Sequence, residues 1–98
     1  MSSSPAIILS PADNVAVVRR HVSAGEPLAM ESATVVARDN VPLGHKIARR
    51  LIPRGAEVIK YGMSIGSTSV DIRPGEWVHV HNIRGDYVTH TGKPGAQS

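Results

Sequence analysis

The sequence predicts a small, mostly β domain with short helical turns, and three observations lead to that prediction. The 98 residues fall at the low end of the range for one compact domain. Phe is absent, and one Trp and two Tyr are the only aromatic residues besides histidine, so Val, Ile, Leu and Ala must build the core. This β-branched composition suits strands. A glycine-centred motif also recurs along the chain, which is typical of a structure dense in turns.

Six segments are predicted as strands because apolar, largely β-branched residues occur there between turn residues. They are residues 6–9, 15–18, 34–37, 47–51, 57–61 and 76–81. Short turns of helix are expected within 15–22 and 45–51, where β-branching and nearby Gly and Pro limit helix length. Gly62 predicts a sharp bend that presents Lys60 and Tyr61 at its rim, with a solvated Lys60 and a core-covering Tyr61 as the alternative.

The recurring motif has an apolar residue on each side of a glycine, in the order apolar-x-x-Gly-x-x-apolar. It occurs around Gly25, Gly55 and Gly75. The first two copies are thirty positions apart and share a preceding Arg pair, Arg19-Arg20 and Arg49-Arg50. Each copy predicts a tight turn held between two buried anchors.

Composition and charge narrow the function classes. The absence of cysteine excludes disulfides and thiolate metal sites and is compatible with a cytoplasmic protein. No apolar run is long enough for a membrane span, and too few aromatic residues are present for a nucleic-acid stacking platform. The net charge of +3 is better suited to an anionic small molecule. We assign 1–11 to a flexible N-terminus, 12–82 to the folded domain and 83–98 to a C-terminal tail.

Two constellations carry candidate chemistry. In the strand predicted at 76–81, alternation places Trp77, His79 and His81 on one face, opposite Val78. Paired imidazoles can bind a metal, bind a carboxylate or transfer protons. The alternatives are a solvated face without a function and a half-site that another chain completes. His45 and Lys46 follow Gly44 in a predicted loop, where they would bind an acidic substrate or donate a proton, or else form a simple surface turn.

Three segments together, VPLGHKIA at 41–48, VIKYGMSIG at 58–66 and IRPGEWVHVHN at 72–82, closely resemble a known domain. It is the SAF-like, β-clip domain of the altronate and galactarate dehydratase family, which includes the small subunit of sulfolactate sulfo-lyase. The resemblance covers about residues 12–82, and the tail from residue 83 has no counterpart in it. Such a domain either begins a long dehydratase or forms a separate small subunit, and the chain ends soon after the third segment. A detached small β-clip subunit is therefore expected.

The resemblance implies a metal-dependent hydro-lyase that eliminates water from a sugar acid or related hydroxy acid to give a 2-keto acid. The partner would be a large catalytic subunit holding a divalent metal, commonly Fe²⁺, and this chain alone would bind no metal and be inactive. A second copy of the chain is a further expected partner. The roles implied are acid or base for His45, His79 and His81, and substrate binding for Lys46, Lys60, Tyr61 and Asn82. Sulfolactate desulfonation and a noncatalytic carbohydrate-binding or assembly module are the alternatives.

Overall fold

Nine short β-strands and no helix make up the part of the chain that the computed structural model describes, residues 4–31, 33–79 and 83–84. The strands are β1 (Ala6–Ile7), β2 (Val15–Val18), β3 (Pro27–Met30), β4 (Ala33–Val36), β5 (Lys46–Ala48), β6 (Glu57–Lys60), β7 (Met63–Thr68), β8 (Trp77–Val78) and β9 (Ile83–Arg84). The predicted mostly β fold is confirmed. Within these same residues, nothing resembles a helix that could cross a membrane.

A central antiparallel sheet in the order β1-β2-β5-β8 separates two hydrophobic clusters. Residues paired directly across its strands share a face, and successive residues alternate between faces. Ala16, Ile47 and Trp77 therefore lie on one face and contact the first cluster, whereas Val15, Ala48 and Val78 contact the second. The hairpin β3-β4 contributes to the first cluster, and the sheet β6-β7-β9 contributes to the second.

Among the described residues, the glycine-centred motif with both anchors fully buried occurs four times, one more than predicted. Gly25, Gly44, Gly55 and Gly75 all have φ between 84° and 92°, a backbone region that L-residues rarely adopt. The residue three positions before each glycine and the residue three positions after it are essentially fully buried. Isolated bridges join the first and second units at Val22 and Val41, and the third and fourth units at Ile52 and Ile72. The domain is thus built from two similar halves.

The predicted helical turns within 15–22 and 45–51 are wrong, because the structure has strands β2 and β5 there. Both segments supply strands that pair with each other, with Val15 opposite Ala48 and Val17 opposite Lys46. Pairing buries the β-branched side chains on both faces of the sheet, which an isolated helical turn would leave exposed.

The strand prediction at 15–18 is confirmed in full, and those at 6–9, 34–37, 47–51 and 57–61 are confirmed with shifted ends. For the segment 76–81, the structure confirms β8 at Trp77–Val78, and residues 80–82 lie outside the described part. Strands β3, β7 and β9 were not predicted. The proposed division of the chain at residues 11 and 82 stays a prediction. Strand β1 lies inside the first segment, and residues 85–98 lie outside the described part.

Candidate functional site

Three aromatic rings meet at one end of the central sheet. His45 precedes the first residue of β5, and His79 follows the last residue of β8, so antiparallel pairing of the two strands brings the histidines to the same end. Their ring centroids are 4.6 Å apart. Trp77 stacks on His79 with centroids 5.2 Å apart and planes 7° apart. The predicted common face of Trp77 and His79 is confirmed, but Trp77 is half-buried against the first cluster rather than fully solvated.

A hydrogen bond selects the tautomer of the neutral His45 imidazole. The indole Nε1–H of Trp77 donates to Nδ1 of His45 at 3.1 Å. Indole nitrogen is only a donor, so Nδ1 must carry its lone pair, and the proton of the neutral imidazole lies on Nε2. The backbone N–H of Trp77 is itself held by the carboxylate of Asp39 at 2.9 Å. His45 is thus oriented as an Nε2–H donor.

Two lysines form the cationic part of the site. Lys46 pairs with Val17 and Val78, so its side chain lies on the face of the sheet opposite to Ile47 and Trp77, at the end that carries His45 and His79. Burial lowers the pKa of Lys46, and repulsion from the nearby ammonium of Lys60 lowers it further. Both effects disfavour the charged form of Lys46, and a bound anion would offset them.

A tight turn presents Tyr61 beside Lys60. Tyr61 and Gly62 connect β6 to β7 with φ of 57° and 76°, as a two-residue hairpin turn with two positive φ angles requires. Tyr61 is 71% exposed. The predicted bend with Lys60 and Tyr61 at its rim is confirmed.

The turn is held by a buried carboxylate. Asp13 is fully buried and accepts backbone N–H groups from Tyr61 at 2.8 Å, from Gly62 at 2.7 Å and from Ser10 at 3.1 Å. The neighbouring Asn14 bonds the backbone of β6 through its side-chain amide, donating to Glu57 O and accepting from Ile59 N. These bonds fix where β6 ends and therefore where Lys60 lies.

The structure gathers part of the predicted site. It brings His45 and His79 into contact, places Lys46 near Lys60, and puts Tyr61 at the hairpin tip next to Lys60. Lys46 belongs to β5 rather than to the predicted loop. His81 and Asn82 lie outside the described residues, and the chemical roles assigned to all seven residues stay predictions.

Sequence reasoning missed three positioning residues. Trp77 was placed beside the histidines but received no role, although an indole N–H on the same strand face was a usable signal. Asp13 and Asn14 resemble an ordinary turn ahead of β2. Their partners in β6 and its turn are 43 to 49 positions away, so no local pattern could identify this role.

The donor groups of the described residues do not suit a metal ion. Among residues 4–31 and 33–79, no three His, Asp or Glu side chains come together as a metal ion would need. His45 and His79 supply two imidazoles at most, with Nδ1 of His45 already engaged by Trp77. Two imidazoles, one of them already engaged, do not make up a metal site.

Comparison with known proteins gives a consistent result. The sequence model for the altronate/galactarate dehydratase SAF domain matches residues 4–86. An altronate dehydratase of Escherichia coli (strain K12) is 44% identical over 72 residues, which cover 74% of this chain and 14% of that enzyme. An altronate dehydratase of Bacillus subtilis (strain 168) is 39% identical over 72 residues, which likewise cover 74% of this chain and 14% of that enzyme. A (2R)-sulfolactate sulfo-lyase subunit alpha of Chromohalobacter salexigens is 47% identical over 47 residues, 48% of this chain and 50% of that subunit.

Proposed function

This chain belongs to the SAF-domain family of altronate and galactarate dehydratases, and on that premise we propose that it is the small subunit of a lyase acting on a hydroxy acid. The chain spans only 14% of the two altronate dehydratases, so most of the catalytic machinery is assigned to a large partner subunit. Similarity to a protein named as subunit alpha of a sulfo-lyase supports the two-chain arrangement.

One observation carries the proposal. Two imidazoles and the half-buried Lys46 lie at the same end of the central sheet, and Lys60 is close enough to Lys46 to lower its pKa. A substrate carboxylate bound by Lys46 and Lys60 would relieve the repulsion between the two ammonium groups. That contact would orient the hydroxy acid beside the imidazoles.

The reaction proposed is a β-elimination. A base removes the proton on the carbon next to the carboxylate, and the electron pair left behind expels the leaving group from the adjacent carbon. The resulting enol takes up a proton on carbon to become the 2-keto acid. In this scheme His45 donates its Nε2 proton to the departing oxygen, and Lys46 and Lys60 stabilise negative charge on the carboxylate.

A divalent metal, Fe²⁺ in our proposal, would belong to the large subunit and would stabilise the developing enediolate. In this chain, Trp77 is assigned as a positioning residue that keeps His45 in the donor tautomer. Tyr61 at the hairpin tip and Asn82 are assigned to substrate hydroxyl contacts, and His79 and His81 to proton transfer or to contact with the metal of the partner.

A second leaving group is supported by the sulfo-lyase relatives. Loss of sulfite from a sulfonated hydroxy acid begins with the same proton abstraction and ends in the same keto-acid product class. The lysine pair suits a sulfonate as well as a carboxylate, so its role is unchanged in this alternative, whereas His45 would have no departing hydroxyl to protonate.

The test begins with affinity purification of the tagged chain from its native cells, where we expect a large dehydratase-like protein to copurify. The two chains are then coexpressed and assayed for 2-keto acid from altronate and galactarate, and for sulfite from (2R)-sulfolactate. We expect His45→Ala and His79→Ala to lower kcat by about 100-fold or more, as loss of a general acid or base does. His21→Ala is the matched control, because His21 is an exposed histidine to which the proposal assigns no role.

Two results would reject the proposal. One is full turnover by the His45→Ala and His79→Ala complexes. The other is elimination by the isolated 98-residue chain, which would contradict the assignment of most catalytic groups to a partner.

A further inference from the structure

A second cationic feature lies outside the proposed site. A groove of about 630 Å³ runs between β4 and the segment at 49–51. Its lining includes Arg38, Arg49 and Arg50 and the exposed apolar residues Val36 and Leu51, and none of the described residues that line it is acidic. We call this feature the arginine groove.

One side-chain nitrogen of Arg49, at the groove, has no hydrogen-bond acceptor among the described residues. Its side chain is only 13% exposed, and its Nη2 donates to Glu31 at 2.6 Å. Its Nη1 is buried and has no hydrogen-bond partner within the described part of the chain. Buried side-chain donors nearly always have an acceptor, so the described residues satisfy the Arg49 guanidinium only in part.

A comparison of the two similar halves of the domain gives an independent reason to infer that the arginines form a binding surface. In the first half, Arg20 is paired with Glu26, its partner six positions later. In the second half, Arg50 occupies the equivalent position, but Ala56 stands where the carboxylate would be. The first half therefore pairs its arginine with a carboxylate, whereas Arg50 in the second half donates to the uncharged backbone carbonyl of Asp13 and keeps its net charge.

Exposed apolar surface beside the guanidinium groups indicates the kind of ligand. Val36 is 53% exposed and Leu51 is 54% exposed. A small anion would contact only the guanidinium groups and leave these side chains in water. A polypeptide segment that alternates carboxylates with an apolar side chain would neutralise the arginines and bury Val36 and Leu51 as well.

We propose that the arginine groove binds an extended acidic segment of a partner protein, with an apolar residue seated against Val36 and Leu51. Under the proposed function that partner is the large subunit, and this identity rests on that proposal. The groove would then dock the partner, and the end of the sheet with His45 and Lys46 would face its substrate.

Binding to the groove is tested first with the whole chain labelled with ¹⁵N and titrated with a short peptide of alternating Asp and Val. We expect amide shifts at 33–38 and 49–51, and about tenfold weaker binding by Arg38→Glu, because reversing an interfacial charge replaces attraction by repulsion. Arg54→Glu is the matched control: Arg54 is exposed, does not line the groove, and undergoes the same change of charge. We expect this variant to bind the peptide within about twofold of the wild type.

Three outcomes of this titration would overturn the inference. In the first, the peptide shifts residues around Lys46 and Lys60 and none in the groove. In the second, Arg38→Glu and Arg54→Glu weaken binding equally, which is general charge attraction. In the third, malonate binds the groove as tightly as the peptide, which would identify a site for small anions only.

The copurified large subunit provides the second arm. Arg38→Glu should weaken its binding by about tenfold and raise the subunit concentration needed for turnover, with kcat at saturation unchanged. Unchanged affinity for the large subunit would overturn the groove as the docking surface while leaving the lyase proposal intact. Peptide binding in the groove without elimination of any of the three substrates would instead reject the lyase proposal and support the groove.

Discussion

Replacing Asp13 by asparagine should destabilise the domain although the two side chains have nearly the same shape. The carboxylate accepts three backbone N–H groups, two through Oδ2 from Ser10 and Tyr61 and one through Oδ1 from Gly62. Asparagine keeps one acceptor oxygen, so at least one N–H loses its partner and faces the amide NH₂ instead. Hydrogen bonds to charged groups contribute about 1.5–3 kcal/mol each, and an orphaned donor costs a similar amount.

Because the turn at Tyr61 and Gly62 is partly open to water, some of that loss would be recovered by hydration. We therefore expect Asp13→Asn to lower the free energy of unfolding by about 2–4 kcal/mol, out of the roughly 5–15 kcal/mol typical of a domain. A loss of 3 kcal/mol would lower Tm by about 12–24 °C in a chain of this length. Urea denaturation followed by circular dichroism measures the first quantity, and a thermal melt measures the second.

Asp71→Asn is the matched control, since it removes the same charge from an exposed carboxylate that accepts a single backbone N–H from Arg54. It should cost less than about 1 kcal/mol. Amide exchange adds a local readout, because the Tyr61 and Gly62 amides should lose protection in Asp13→Asn alone. If both variants lose the same stability, or if Asp13→Asn stays within about 0.5 kcal/mol of the wild type, the carboxylate does not hold the hairpin as argued.

Two further predictions follow from backbone space and from charge. Gly75→Ala should destabilise the domain more than Gly55→Ala, because a Cβ at Gly75 would lie 2.1 Å from the carbonyl oxygen of Val36, whereas Gly55 has open space and a similar φ of 85°. Equal unfolding free energies for the two variants would contradict this packing argument. The lowered pKa of Lys46 means that the folded state binds fewer protons than the unfolded state between that pKa and the ordinary lysine value of about 10.4. The free energy of unfolding should therefore rise with pH across that window in the wild type and rise less in Lys46→Met. Urea denaturation from neutral to alkaline pH measures both profiles. Parallel profiles would refute the burial of this charge.

Local signals in the sequence predicted much of the sheet. β2 was predicted with its observed bounds because a run of Val and Ala lies between turn residues. β7 was missed because Gly66 and two serines interrupt its apolar character, although pairing on both sides, with β6 and with β9, forms the strand. β3 was missed because it begins at Pro27, which is tolerated as the first residue of a strand.

Long-range contacts set the limit of sequence reasoning about the site. Strand alternation predicted the common face of Trp77 and His79, and a loop glycine drew attention to His45. The hydrogen bond between Trp77 and His45 joins positions 32 residues apart and depends on the pairing of β5 with β8. The neighbourhood of Lys46 and Lys60 likewise depends on how β6 is placed against the central sheet, which no local pattern specifies.

The fourth turn unit, around Gly44, was readable in the sequence, and comparing the four units explains why a histidine stands in it. In all four units the N–H of the residue after glycine donates to the carbonyl two positions before the glycine. Where that earlier residue has a free N–H, at Ser23 and Arg73, the residue after glycine is a glutamate whose carboxylate accepts it, at 3.1 Å and 2.9 Å.

The two remaining units have proline at that earlier position, Pro42 and Pro53, and proline has no N–H to satisfy. The residue after glycine is then released from capping its own turn, and it is Ala56 in one unit and His45 in the other. Proline at position 42 thus frees position 45 for a side chain chosen for what it contacts outside the turn. His45 uses that freedom to meet Trp77 and His79 at the end of the sheet, which is where the proposed chemistry requires an oriented imidazole.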